Sequence, residues 1–364
     1  MKRIVLGSGD LIADPSFAKT LIQWQQQHGR HQLPWQQTRD AYRIWLSEIM
    51  LQQTQVATVI PYYARFLQRF PTIFSLSEAP VEDVMAHWSG LGYYTRARNL
   101  HRCAQRVVAD YQGIFPVDVE QLGDLPGIGP STAAAISAFA YGTRAAILDG
   151  NVKRVFCRVF GVEGFPGTAL VEKQLWQLAA ALLPTESIEA YTQGLMDLGA
   201  TVCTRSRAQC NACPLELRCQ ARATNRVSEL PVRKPKKAVP EKFTVMLVVE
   251  HQQAILFEQR PPSGIWGGLL SLPEVSRLIA TKPHHITRAE LDHMLTEFGE
   301  VESMGLMPEF THAFSHYKLT VLPVQVTMKK IFMLAAQRAY CWLPADKLSQ
   351  AALPAPIKKL LLGS

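Results

Sequence analysis

Four cysteines fall within 17 residues, as Cys203-x6-Cys210-x2-Cys213-x5-Cys219, and no other feature restricts this chain so tightly. Thiolates this close together can enclose one metal centre, and the backbone between them must then fold around that centre. Thiolate chemistry by itself admits either zinc or an iron–sulfur cluster. The unequal 6-2-5 spacing fits poorly with the paired C-x2-C arrangement of zinc ribbons. Three further cysteines bring the total to seven, and an odd number argues for reduced thiols and a metal site over a disulfide framework. Between the first two ligands stand Arg205 and Arg207, which a tight ligand loop would present as positive charge, suited to phosphate.

A second constraint lies upstream, in Leu125-Pro126-Gly127-Ile128-Gly129-Pro130. Two glycines bracket one apolar residue, and a small-residue run with helical composition follows from Ser131 to Ala140. Glycine lacks a Cβ and tolerates positive φ, so backbone N–H groups can approach an anion at the positive end of the next helix. Such a turn can grip a DNA phosphate through Gly127 and Gly129 without reading sequence; a plain glycine hairpin between helices is the other reading. Asp149 follows in Leu148-Asp149-Gly150-Asn151, after the apolar stretch Ala145–Leu148, strand-like or helical, and before a helix opening at Val152. It is read either as a helix N-cap or as a carboxylate placed for chemistry. A helix predicted from Ala41 to about Ile60 sets Glu48 within or beside its apolar stripe. A carboxylate there is costly when ionised, so its pKa is expected to rise, which suits a general acid near neutral pH.

These stretches together resemble the base-excision DNA glycosylases related to endonuclease III, and the segment LDGNVKRV is most similar to the MutY family. The cysteine spacing matches that family's cluster loop, which implies one 4Fe-4S cluster per chain. The segment from Ser47 to Val56, SEIMLQQTQV, resembles the family's catalytic-glutamate segment. The resemblance implies Glu48 as the acid, Asp149 as the group stabilising the sugar cation, Asn151 as the partner orienting either Asp149 or the nucleophilic water, and Gln52 as the wedge left in the duplex. It also places Arg30 and Trp35, from Arg30-His31-Gln32-Leu33-Pro34-Trp35, in the pocket for the extruded base. Gly90-Leu91-Gly92-Tyr93-Tyr94 resembles the family's intercalating loop, with Tyr93 at the stacking position. Arg96, Arg98 and Arg102 follow as candidate phosphate contacts. Bifunctional endonuclease III-type enzymes, the alternative reading, carry a Schiff-base lysine directly after the hairpin; this chain has Ser131 there, which implies a monofunctional enzyme.

Beyond Arg233-Lys234-Pro235-Lys236-Lys237 the pattern shifts from helical to strand-like, with runs at Phe243–Val249, Ala254–Phe257 and Leu269–Leu272. A helix around Ala289–Phe298 and alternating strands from Phe310 to Val326 complete it. Arg260–Pro273 resembles a Nudix fold whose hydrolase box is incomplete. Gly268 and Glu274 keep its opening spacing, but Lys282-Pro283 and Ile286-Thr287 stand where its acidic positions belong, so no magnesium site can be built. A binding role is left, and Phe314-Ser315-His316 matches the segment by which the family reads 8-oxoguanine, with Ser315 and His316 as the candidate contacts.

The expected architecture is a mainly α helix-hairpin-helix domain at 16–225 with an iron–sulfur loop, behind a short extension at 1–15. A linker at 226–241 leads to an α+β Nudix-like domain at 242–364. A formal net charge of +8 with a pI near 9.1 fits a polyanion partner. No run approaches a membrane span and no secretory signal is evident, so a cytoplasmic, monomeric enzyme is expected. Its substrate by resemblance is double-stranded DNA with adenine opposite 8-oxoguanine or guanine.

Overall fold

A computed structural model describes residues 14–234, 239–261, 264–274, 288–296, 298–314, 317–332 and 340–363. Two units are separated by their contacts: Met1–Glu78 with Asn99–Pro235, and Ala79–Arg98 with Lys236–Ser364. The sequence expectation ran the first domain unbroken from 16 to 225. By contacts the segment Ala79–Arg98 groups with C-terminal residues, Ser89 Oγ donating to Leu353 O at 2.8 Å and the Arg98 guanidinium to Gly267 O.

The first unit is helical. Its core joins α1 (Pro15–His28), α9 (Gly150–Val159), α10 (Ala169–Ala181) and α11 (Ile188–Asp197) through Phe17, Leu21, Phe156, Leu175, Tyr191 and Leu195. Asp14 caps α1, its carboxylate accepting from Ser16 N, and Pro15 at the first helical position has no N–H left unpaired. Cys203, Cys213 and Cys219 pack against the edge of this core, so the thiol loop is anchored on buried hydrophobic surface.

The helix expected from Ala41 to Ile60 is two helices. The first, α2, spans Ala41–Leu51, and α3 spans Val56–Arg69. Gln52 leaves helical geometry with ψ near 110° and Gln53 enters the left-handed region with φ 57°. A non-glycine residue held there is uncommon and costs energy, so local propensity does not foreshadow the break.

The hairpin is formed by α7 (Val119–Gly123) and α8 (Pro130–Ile136), which pack on each other. Gly127 has φ 79°, and a Cβ added there would lie 2.8 Å from Asn99 Cβ, so both the turn and the close approach demand glycine. After Ile136 the chain continues as one wide π turn, Ser137–Tyr141, and runs without regular structure to Leu148. A second π turn, Leu198–Val202, connects α11 to Cys203.

The second unit is built on a seven-stranded mixed sheet in the order β3-β2-β1-β6-β4, with β5 pairing β6 and β7 pairing β2. The strands are β1 (Glu241–His251), β2 (Ala254–Gln259), β3 (Leu270–Ser271), β4 (Gly299–Leu306), β5 (Phe310–Ala313), β6 (Lys318–Ile331) and β7 (Tyr340–Pro344). Long β1 and β6 run parallel, Glu241 opposite Lys318 through Glu250 opposite Thr327, and the other pairings are antiparallel. The sequence reading missed β4 and β7. In β4 the burial is mostly peripheral, so the apolar alternation that marks a half-buried strand is weak. The helix Arg288–Leu295 supplies Leu291 and Leu295 to a core with Val245, Leu247, Val249, Leu256, Val324 and Val326. This is the α+β architecture anticipated for the C-terminal half.

Candidate active site and thiol-lined cavity

A cleft of about 1460 Å³ opens in the helical unit, and it gathers residues from distant parts of the sequence. Glu48 reaches it from α2, Asp149 and Asn151 from the start of α9, and Ser131 from the start of α8. Arg30, Trp35 and Gln52 lie on its lining as well.

Local chemistry explains the position of each carboxylate. Asp149 is the N-cap of α9: one oxygen accepts from Val152 N at 2.7 Å and the other from Asn151 Nδ2 at 3.1 Å. The two readings entertained for it thus coincide, since capping fixes a carboxylate that still lines the cleft. Burial raises its pKa, while the bonds from Val152 and Asn151 and the nearby Arg154 guanidinium oppose that rise. Glu48 has no such compensation. Burial, reinforced by the negative charge of Asp149, pushes its carboxyl up to about 7. Burial thus pushes both carboxyls up, Glu48 to about 7, and of the two Asp149 is the one held by hydrogen-bond donors.

Asn151 in turn is tied to Arg154, whose Nη2 donates to Asn151 Oδ1 at 2.8 Å and to Gly199 O at 2.7 Å, with Nε donating to Cys203 O at 2.7 Å. Gly199 lies so close that an added Cβ would stand 2.5 Å from Asn151 Cβ. Sequence reasoning singled out neither Arg154 nor Gly199; only the packing of α9 on the π turn before Cys203 makes them neighbours of the carboxylate. Asp197 and Gln193 were missed too. Arg30 forms an ion pair with the buried Asp197 at 2.6 Å, and Gln193 Nε2 donates to the same carboxylate at 2.9 Å, so Arg30 is held rigidly at the cleft wall. Helical spacing carries the signal that could have found them, because Gln193 and Asp197 sit four apart on α11. Trp35 is buried edge-on against Tyr63, and Ser131 Oγ accepts from Leu148 N at 3.2 Å, fixing the approach to Asp149.

The hairpin glycines are exposed while Ile128 between them is buried, so the turn offers bare backbone to an incoming group. Gly129 caps α8 and has open space where a side chain would project. In the second unit, Tyr93 is 51% exposed with φ 50°, on a loop braced from beneath. Arg96 does that bracing: it is buried, donates to Leu91 O and Gly92 O at 3.0 and 3.1 Å, and stacks on Trp88 and Tyr93. It is accordingly withdrawn as a phosphate contact, and Arg98, bonded to Gly267 O, serves the same packing. Arg102 and the loop residues Arg205 and Arg207 are exposed. Ser315 and His316 lie outside the described residues, as do Lys282, Pro283, Ile286 and Thr287. Glu274, the surviving box residue, is consumed by Arg260 Nη1 and Thr244 Oγ1, both at 2.8 Å.

All four cysteines of the loop line a second, small cavity together with Arg158, Val155, Val159 and Leu198. Among the described residues no three His, Cys, Asp or Glu side chains converge closely enough to hold a single metal ion. Four thiols around one cavity are a donor set that either a zinc ion or an iron–sulfur cluster can take. No helix among the described residues is long and apolar enough to cross a membrane.

Comparison with known proteins places this geometry. Residues 46–181 match the HhH-GPD superfamily of base excision DNA repair proteins, and residues 244–363 match the NUDIX domain. The solved structure of a thermostable thymine-DNA glycosylase is similar over 57% of this chain and 96% of that one, with 30% identity and a TM-score of 0.53. The adenine DNA glycosylase of Buchnera aphidicola subsp. Baizongia pistaciae is 35% identical over 346 residues, 95% of each chain. That of Homo sapiens is 33% identical over 408 residues, covering 96% of this chain and 74% of its own. The likeness to the thymine enzyme takes in 57% of this chain, whereas these two relatives take in 95% and 96% of it, and by that breadth the chain belongs to the adenine DNA glycosylase family.

Proposed function

We propose that the chain removes adenine from double-stranded DNA where adenine is mispaired with 8-oxoguanine or guanine, hydrolysing the N-glycosidic bond without cutting the strand. The observation that carries this reading is the pair of carboxylates in one cleft, Glu48 pushed up to about 7 and Asp149 held by Val152 and Asn151. Adenine must leave the stack before its bond to the sugar is accessible. Arg30 and Trp35 on the cleft lining supply walls for the extruded base, Gln52 at the same cleft wedges into the duplex where the base has left, and Tyr93, exposed on its braced loop, stacks where the duplex has opened. Glu48 then transfers its proton to adenine N7, which improves the leaving group. Asp149 stabilises the positive charge that develops on the sugar, the division of labour that paired carboxylates perform in glycoside hydrolysis. Asn151 keeps the Asp149 carboxylate aimed.

Strand position is held by Gly127 and Gly129, whose exposed backbone receives a phosphate at the start of α8. Hydrolysis without strand scission is supported by Ser131, a hydroxyl engaged with Leu148 N where a lyase needs an amine. The nearest amine on α9, Lys153, is in an ion pair with Glu172 at 2.6 Å. Cys203, Cys210, Cys213 and Cys219 fit a 4Fe-4S cluster, which when bound fixes the fold of the loop carrying Arg205 and Arg207. Ser315 and His316 contact the oxidised guanine, and the enzyme works as a monomer in the cytoplasm.

Single-turnover incubation with duplexes bearing each mispair, followed by alkali, tests the whole reading. Adenine release opposite 8-oxoguanine and guanine, with strand scission only after alkali, is expected. Scission without alkali, or release of another base, would overturn it.

A further inference from the structure

A buried cation on α9 faces the thiol cavity, and among the described residues no carboxylate pairs with it. Arg158 is 3% exposed. Its Nε donates to Leu230 O at 2.8 Å, Nη1 to Thr204 O at 2.7 Å and to Cys203 Sγ at 3.3 Å, and Nη2 to Arg205 O at 3.3 Å. The thiol of Cys219 donates back to Arg158 O at 3.4 Å. Among the described residues the partners of this guanidinium are carbonyls and sulfur, whereas Arg30 and Arg226 are each matched by a carboxylate. Carbonyl dipoles satisfy its N–H groups but not its net charge, and an uncompensated buried charge costs several kcal/mol. The groups beside it able to become anions are the cysteines, which give up their protons when they ligate metal.

We infer that Arg158 is the counter-ion and positioning residue of the cluster site, holding Cys203 and the two following carbonyls against Leu230, with its own charge answered by the metal-bound thiolates. The inference rests on the iron–sulfur reading given above. It makes the loop two-sided in its dependence: the thiolates need Arg158, and Arg158 needs the thiolates. Without the cluster the site is left with a buried, unanswered cation. The strap to Thr204 O and Arg205 O then loses its electrostatic reason, and the loop presenting Arg205 and Arg207 loosens with it.

This dependence gives opposite signs in two forms of the full chain. Arg158→Met removes the cation and keeps most of the buried volume. In the iron-loaded protein it should lower the melting midpoint and speed iron release to a ferrous chelator by about tenfold or more, the usual consequence of losing a group behind the ligands. In iron-stripped protein it should leave the midpoint unchanged or raise it, because an uncompensated charge has gone. A role confined to hydrogen bonding would lower both midpoints, and that result overturns the inference, as does unchanged iron release. Should Arg158→Met not fold, Arg158→Lys against Arg158→Gln decides the matter: the lysine variant must retain iron longer, and equal release from the two overturns the inference. Wild-type protein containing stoichiometric zinc and no iron would instead overturn the cluster reading itself.

Discussion

Replacing Glu48 by glutamine should separate the cost of the acid from its use. Burial and Asp149 push the Glu48 carboxyl from its ordinary 4.5 to about 7, so the folded chain binds this proton more tightly than the unfolded chain does. Stability therefore falls as pH rises from 4.5 to 7, because over that window the unfolded state has released a proton that the native state retains. A shift of this size, at 1.36 kcal/mol per pH unit, amounts to about 3 kcal/mol of destabilisation, fully developed by pH 8. Glutamine keeps the shape and cannot ionise, so the variant escapes this penalty. Relative to wild type its midpoint should climb with pH, by about 6–12 °C at pH 8 for a unit of this size, and by little near pH 4.5. Melting the two iron-loaded proteins in parallel from pH 4.5 to 8 cancels the titrations that do not couple to Glu48. Single-turnover excision supplies the other half: the variant should be inactive at all pH values, and the wild-type rate should drop about tenfold per unit above pH 7. Parallel melting curves across the series would show that Glu48 ionises near its ordinary pKa and would refute its assignment as the acid.

Asp149→Asn should abolish excision with little loss of stability, since asparagine caps a helix as well as aspartate; Asp149→Ala should cost about a further 1 kcal/mol, measurable by denaturant midpoint. Gly199→Ala should slow single-turnover excision by about tenfold or more, because its Cβ would press within 2.5 Å of Asn151 and disturb the partner of Asp149; duplex binding should change little, and a wild-type rate would show that α9 yields without consequence. Ending the chain at 234 should spare the cleft yet remove the bonds from Ser89 and Arg98 to Leu353 and Gly267, so the truncated protein should show greater proteolysis within 79–98 and a weakened preference for 8-oxoguanine over guanine. Ser315→Ala with His316→Ala in the full chain isolates the second effect: the ratio of rates on the two mispairs should fall by the worth of one or two contacts, about 1–3 kcal/mol, and an unchanged ratio would remove them from recognition.

Where bonding partners are close in sequence, the linear chain already carries the information. The Leu125–Pro130 turn is such a case, because Gly127 needs its positive φ locally and Pro130 opens α8 whatever surrounds it. The cysteine loop is another, four thiols being placed by their spacing to line one cavity. Asp149 was legible because a cap bonds its own helix three residues on, and Glu48 because its place near an apolar stripe foretells a raised pKa. Left-handed Gln53 was not, since the strain that ends α2 is set by surroundings absent from the segment. Nor was the burial of Arg96 beneath the Tyr93 loop, which turned an arginine expected at a phosphate into a brace. The bonds that Ser89 and Arg98 make to C-terminal residues span 264 and 169 positions, and local composition holds no trace of them. The same is true of Arg154, Arg158 and Gly199: each is an ordinary helix or turn residue in sequence, and each acquires its place only when α9 docks on the chain entering Cys203. Sequence determined which groups could do chemistry, through local geometry and side-chain type; tertiary packing decided which would be buried, paired and aimed, because desolvation and charge compensation are properties of neighbours far apart along the chain.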